Sequence, residues 1–158
     1  QEVGAMKQVL KNAPGETALF MENTAGGGNK IGSIEDLAYL FAKVKSSRVK
    51  VCIDTAHAFE AGMITEYTPE NIKKFADAWE EAIGFEHIPV LHANDSKTIA
   101  GSHHDRHENI GEGYIGKGGF ANLAKEKRFR DKDWILEVPG FGGDGPDKRN
   151  VQILESLI

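Results

Sequence analysis

Four apolar runs in this chain each end in a residue that can bind a metal ion or move a proton. Ala18 to Met21 leads into Glu22, Val49 to Ile53 into Asp54, Ile88 to Leu91 into His92, and Trp134 to Leu136 into Glu137. Short apolar runs separated by helical patterns predict buried parallel strands joined by right-handed crossovers. Such a sheet displays its functional groups at the carboxyl ends of its strands. The four polar residues are therefore expected side by side along one edge of an α/β fold. The pattern gives about four β-α units, which suits half of a (β/α)8 barrel or a small open sheet. At 158 residues the chain is too short for a complete barrel of about 250.

The segments between the runs carry helix signals. Ser33 with Asp36 three residues later forms a capping box, and apolar residues at 34, 37, 38, 41 and 44 make a helical stripe running to about Lys45. Thr68-Pro69-Glu70 starts another helix, with Ile72, Phe75, Ala76, Trp79 and Ile83 on its inner face and Gly84 after its end. Further helices are expected over Glu2 to Lys11, near Phe120 to Lys127 and over Val151 to Ile158. The stretch Asn94 to Gly119 reads as one long irregular loop, a type that is commonly functional.

Outside the strand ends, Asp105 and His107 add a further pair with i, i+2 spacing, and His57 follows Asp54 by three residues. Glu22, Asp54, His57, His92, Asp105, His107 and Glu137 together form a carboxylate and imidazole set suited to Zn²⁺, Mn²⁺ or Fe. For any one of them alone a capping or solvated role competes. Convergence of so many is what favours a multinuclear metal site. Lys97 and Arg106 are the nearest cations and could meet an anionic substrate such as a phosphate. His103 and His104 are neighbouring loop histidines, and His87 is expected on the far side of the third strand as a structural residue. Cys52, separated from Asp54 by one residue, shares its face and reads as a reduced, buried thiol. Gly26 to Gly28 and the Phe141 to Gly145 stretch match neither the phosphate-loop spacing nor the dinucleotide fingerprint.

A formal net charge of −5 argues against nucleic acid unless bound ions change the local sum. Two or three divalent ions would add roughly four to six positive charges at one spot. No apolar stretch is long enough to span a membrane and no leader pattern is present, so a cytoplasmic, intracellular setting with no membrane contact is expected. The start at Gln1, running directly into a helix pattern, is like the interior of a longer protein.

Four motifs, Met21-Glu22-Asn23-Thr24-Ala25-Gly26, Cys52-Ile53-Asp54-Thr55-Ala56-His57, His92-Ala93-Asn94-Asp95-Ser96-Lys97, and Asp105-Arg106-His107 leading into Gly111-Glu112-Gly113, closely resemble those of the endonuclease IV family. They occur in the family's order, with Leu136-Glu137 as a fifth element, and cover nearly the whole chain. Ala56 stands where the family usually has cysteine and Ala93 where it has leucine; neither is a ligand position. The loop Pro139 to Asp147 matches no family motif.

The resemblance implies the C-terminal half of a TIM barrel, with its N-terminal half absent from the chain, and a zinc-dependent apurinic/apyrimidinic endonuclease of DNA base-excision repair. Its substrate would be double-stranded DNA, cut 5′ to an abasic site by a metal-bound hydroxide. Three zinc ions are implied for the whole family enzyme, two of them with complete shells here. Glu22 would bridge two ions, Asp54, His92 and Glu137 would complete one shell, and His57, Asp105 and His107 would form another. Glu137 and Glu22 take the catalytic roles, and Arg106 and Lys97 contact DNA phosphate. Self-association across open sheet edges, or need of a missing half, follows as an expectation. The alternatives are a xylose isomerase-like sugar isomerase or epimerase, and an inactive metal-binding remnant.

Overall fold

The computed structural model describes residues 1–28 and 30–158. Its elements, in order, are α1 (Glu2–Asn12), β1 (Leu19–Glu22), α2 (Ile34–Val44), β2 (Val49–Asp54), α3 (Thr55–Glu60), α4 (Pro69–Ala82), a 3-10 turn at Phe85–His87, β3 (Val90–His92), β4 (Asp95–Ser96), β5 (His107–Glu108), α5 (Gly116–Leu123), α6 (Lys127–Arg130), β6 (Asp133–Ile135) and α7 (Lys148–Glu155). β1, β2, β3 and β6 form a parallel sheet in that order. β4 and β5 form a separate antiparallel pair.

Register decides which residues share a face. Glu22 pairs with Cys52, Asp54 with His92, and His92 with Ile135. Paired residues point the same way and alternate along the strand, so Phe20, Glu22, Cys52, Asp54, Val90, His92 and Ile135 all project from one face. Glu137, two residues beyond Ile135, continues that parity. The opposite face carries Met21, Val49, Val51, Ile53 and Leu91, all buried.

Helices cover that second face. α2 begins with the expected capping box: Ser33 Oγ accepts from Asp36 N–H, and Asp36 accepts from Ser33 N–H. It buries Leu37, Leu40 and Val44. α4 begins with Thr68 capping Asn71 N–H and Pro69 in the first turn, and it buries Ile72, Phe75, Ala76 and Trp79. Phe129 of α6 stacks on Phe75 at 6.0 Å and meets Phe85 edge-on at 5.2 Å. Trp79, wholly buried, is the largest side chain here; its truncation to alanine would cost about 3–5 kcal/mol.

The bare face is different. Phe20 and Ile135 on the two outer strands are 42% and 46% exposed. Helices on one face of a parallel sheet and unfilled apolar side chains on the other describe part of a barrel wall, since a barrel interior is normally packed with side chains.

Several local expectations needed correction. The stretch Asn94 to Gly119 is not wholly irregular, for it contains the β4–β5 pair and the start of α5. The helix expected near Phe120 to Lys127 is two helices, α5 beginning at Gly116 and α6 at Lys127. The early start of α5 has a tertiary cause, because the Asp95 carboxylate accepts the Ile115 and Gly116 N–H groups at the helix entry. The last helix begins at Lys148 because Asp147 caps it through Asn150 N–H. His87 lies in the 3-10 turn, not on β3, and its ring sits 4.8 Å from that of Phe41.

Candidate metal centre

The sheet edge gathers all seven expected residues. Glu22, Asp54 and His92 sit at the ends of β1, β2 and β3, while Glu137 lies two residues past β6. The first turn of α3 carries His57 back over the edge, and Asp105 in the loop into β5 and His107 at the start of β5 come in from the side.

One group forms around His92 Nδ1. It lies 3.0 Å from Glu22 Oε1, 3.2 Å from Glu137 Oε2 and 3.9 Å from Asp54 Oδ2. A second forms around His57 Nε2, which is 3.3 Å from Asp105 Oδ1 and 3.3 Å from His107 Nε2; His107 Nε2 is 3.8 Å from Asp105 Oδ1 and 3.7 Å from Asp54 Oδ2. A tetrahedral zinc site with ligand bonds near 2.0–2.1 Å has ligand-to-ligand edges of about 3.3–3.4 Å. The observed edges bracket that value, so the donor set fits divalent ions of this kind. Asp54 stands within reach of both groups, and Glu22, of the first group, also lies 3.3 Å from the other ring nitrogen of His57, Nδ1.

Asp54 serves two purposes at once. Oδ1 accepts the His57 N–H at 2.8 Å and caps α3, a helix not foreseen from the sequence. Oδ2 faces the cluster. The three-residue spacing of Asp54 and His57 is thus a helix cap that also sets two ligands.

Two residues overlooked in the sequence hold the arrangement. Asn23, fully buried, accepts Asp54 N–H at 2.7 Å and donates to Asp54 O at 3.0 Å, and its own carbonyl lies 3.0 Å from His57 Nδ1. Asn94, also fully buried, donates to Asp54 Oδ2 at 2.6 Å and accepts the Glu137 N–H at 2.7 Å. The signal was there: each asparagine follows a strand-end ligand by one or two positions. A ring nitrogen that donates to a carbonyl fixes the tautomer and leaves the other nitrogen's lone pair for a metal.

The electrostatics follow. Burial pulls the Glu22 carboxyl up, but hydrogen bonds from His57 and His92 outweigh it and hold it at about 2. Burial lowers His57, but contacts with Glu22, Asp54 and Asp105 carry it to about 9. The Cys52 thiol and the Glu22 carboxylate hold His92 up at about 11. Burial pushes the Cys52 thiol itself up. Burial likewise raises Asp54.

Beside the cluster, a cavity of about 650 Å³ is lined by Lys30, Lys97, Thr98, His103, His104, Asp105 and Arg106. Lys97 is largely exposed, 3.9 Å from Glu108. Arg106 donates to the Asp105 carbonyl at 2.9 Å. His103 is not at the cluster; its Nδ1 lies 3.1 Å from Ala25 O and ties two loops together. His104 is exposed. Among the described residues no helix is long and apolar enough to cross a membrane.

Comparison with known proteins accords with this geometry. The family model described as xylose isomerase-like TIM barrel matches residues 5–157. A probable endonuclease 4 of Carboxydothermus hydrogenoformans is 41% identical over 136 residues, 85% of this chain and 48% of the relative. Endonuclease 4 of Thermus thermophilus is 37% identical over 157 residues, 98% of this chain and 55% of the relative. A crystal structure of endonuclease IV from Thermus thermophilus superposes at a TM-score of 0.73 and 36% identity, over 89% of this chain and 49% of that one. The crystal structure of AsfvAP:AG, at 22% identity and a TM-score of 0.66, covers 99% of this chain and 56% of that one, and shows the shared fold alone. The chain spans about half the length of the curated relatives it matches. The chain belongs to the xylose isomerase-like TIM barrel family and, within it, to the endonuclease IV group.

Proposed function

We propose that this chain carries most of the metal centre of an apurinic/apyrimidinic endonuclease, which hydrolyses the DNA phosphodiester 5′ to an abasic site in base-excision repair. The observation that carries the reading is the meeting of Glu22, Asp54, His57, His92, Asp105, His107 and Glu137 at one sheet edge with ligand-like separations. The residues would hold two divalent ions, zinc by donor type and manganese as a substitute: Glu22, Asp54, His92 and Glu137 one of them, His57, Asp105 and His107 the other. Bound there, such ions act as Lewis acids toward phosphoryl oxygen and bring the pKa of water toward neutrality.

The chain's own groups do the rest. Glu137 has its backbone held by Asn94 and its carboxylate half exposed at the mouth of the cluster, which suits it to orient the attacking water and accept its proton. Glu22 sits between His57 and His92 and would bridge toward a third ion, whose remaining ligands would come from outside this chain. Arg106 and Lys97 line the adjoining cavity and would receive phosphate oxygens as charge-assisted donors. A second half of the barrel would cover Phe20 and Ile135.

The test is cleavage of an abasic-site duplex, with EDTA and the Glu137→Gln and His57→Ala variants as controls. Cutting that is metal-dependent and lost in both variants supports the reading. Activity on a ketose panel instead, or cleavage indifferent to both variants in protein completed with the other half of the barrel, overturns it.

A further inference from the structure

We propose that Glu60 is a positioning residue of the metal centre, holding the Arg106 peptide and so presenting Asp105 and His107 to His57. The inference rests on the metal-site reading above and adds a residue that lies at no strand end.

Glu60 is the last residue of α3, one helical turn beyond His57, and its side chain is fully buried. Oε1 accepts three donors: Ser96 Oγ at 2.6 Å, Arg106 N–H at 3.2 Å and Thr98 Oγ1 at 3.4 Å. The Glu60 carbonyl accepts His103 N–H at 2.9 Å. One residue therefore fastens the loop from Lys97 to Arg106 at its two ends and near its middle. Lys97 N–H closes the neck of that loop on Arg106 O at 2.8 Å.

Asp105 and His107 flank the anchored peptide, so fixing Arg106 N–H sets the direction of both side chains. The same rigid turn carries His57. α3 thus positions one ligand of the second group directly and the other two through the Glu60 carboxylate.

Packing alone does not account for a carboxylate here. Its Oε2 accepts no hydrogen bond from the described residues, and a buried acceptor without a donor lowers stability. Its neighbours on the chain, Ala58, Phe59 and Ala61, are all apolar. An acceptor strong enough to gather three donors is what the apolar alternative lacks.

The experiment is Zn²⁺ uptake by metal-free protein, followed by chelator competition, together with the absorption spectrum of the Co²⁺-loaded form. Glu60→Met fills the same space without an acceptor, and Glu60→Gln keeps one. Wild type is expected to take up two ions. Glu60→Met should bind the second with affinity lowered about 10–100-fold, the range for partners that orient ligands, and alter the cobalt spectrum. Glu60→Gln should restore both. Urea unfolding of the metal-free proteins verifies that each variant folds. If Glu60→Met does not, Ser96→Ala takes its place: it removes one donor and leaves the Glu60 bond to Arg106 N–H, so both affinities should stay near wild type. Loss of the second ion in Ser96→Ala would assign the positioning to Ser96 and overturn the proposal. Two ions bound at wild-type affinity by Glu60→Met also overturns it and leaves the metal-site reading standing. Loss of the ion in Glu60→Gln overturns it too, and a wild type that takes up no ion overturns both.

Discussion

His57 and His107 face each other Nε2 to Nε2 across 3.3 Å, while each ring turns Nδ1 to a backbone carbonyl, Asn23 O at 3.0 Å and Glu137 O at 3.2 Å. Two nitrogens this close share at most one proton comfortably, and an ion between them would use both lone pairs. His107→Ala should therefore cost one bound ion per chain and leave the His92 group loaded. Elemental analysis after exhaustive dialysis would count the ions. Full loading of the variant would place the second ion elsewhere.

The pH dependence of the metal-free protein follows from the same cluster. His57 at about 9 and His92 at about 11 lie above the ordinary 6.5. Their ion pairs contribute stability that is complete below about 6.5 and lost as pH rises through those values. Glu22 at about 2 lies below the ordinary 4.5, so its contribution is present above about 4.5 and lost as pH falls through 2. The EDTA-treated protein should show a higher urea midpoint at pH 5.5 than at pH 9.5 by roughly this linkage. Ligation needs deprotonated rings, so zinc affinity should rise across the same interval and binding should release protons. Midpoints equal at the two pH values, together with proton-free zinc binding, would refute the ion-pair account.

Asp95 predicts a purely structural effect. Its buried carboxylate accepts Ser96 N–H at 2.9 Å, Gly111 N–H at 2.9 Å, Gly113 N–H at 3.1 Å, Ile115 N–H at 2.9 Å and Gly116 N–H at 3.1 Å. An amide NH₂ in place of either oxygen faces donors and leaves at least two unpaired. Asp95→Asn should cost about 2–6 kcal/mol at 1–3 kcal/mol per buried unpaired donor. Gly113 is held to the same cage, since an added Cβ would stand 2.6 Å from Asp95 Oδ1 and collide with the Ser96 carbonyl. Gly113→Ala should lose about 1–3 kcal/mol by overpacking. Denaturant melts test both, and an unchanged midpoint in Asp95→Asn would show that the loop does not depend on the carboxylate.

How much was legible in the sequence depended on whether a residue's role was local. Glu22, Asp54 and His92 could be placed because strand period and strand end are written into the apolar runs, and Ser33 with Asp36 because a capping box spans three residues. Asn23 and Asn94 were passed over because an asparagine after a strand reads as a turn; only the fold shows their amides bonded to Asp54 across 31 and 40 positions. α3 was missed because its cap, Asp54, already had a role as a strand end. The first turn of α5 looked like loop because glycines at 116, 118 and 119 weaken helix propensity, and the compensating acceptor, Asp95, lies 20 positions from Ile115. The two-residue strands β4 and β5 are too short to carry any period.

The bare face of the sheet supplies the last prediction. Phe20 on β1 and Ile135 on β6 share the face of Glu22 and Glu137, on the two strands that flank the sheet, and are 42% and 46% exposed. Unpaired strand edges beside exposed apolar side chains favour pairing with another chain. At micromolar concentration the chain alone should therefore sediment as a dimer or larger species. A combined Phe20→Ser and Ile135→Thr variant should shift it toward monomer while the metal-loaded cluster at the strand ends persists, because neither residue is one of the ligands. Addition of the other half of a relative's barrel should do the same to wild type by competing for that face. Analytical ultracentrifugation across a concentration series separates these outcomes. A wild-type chain that stays monomeric throughout would mean that the exposed face needs no partner in solution.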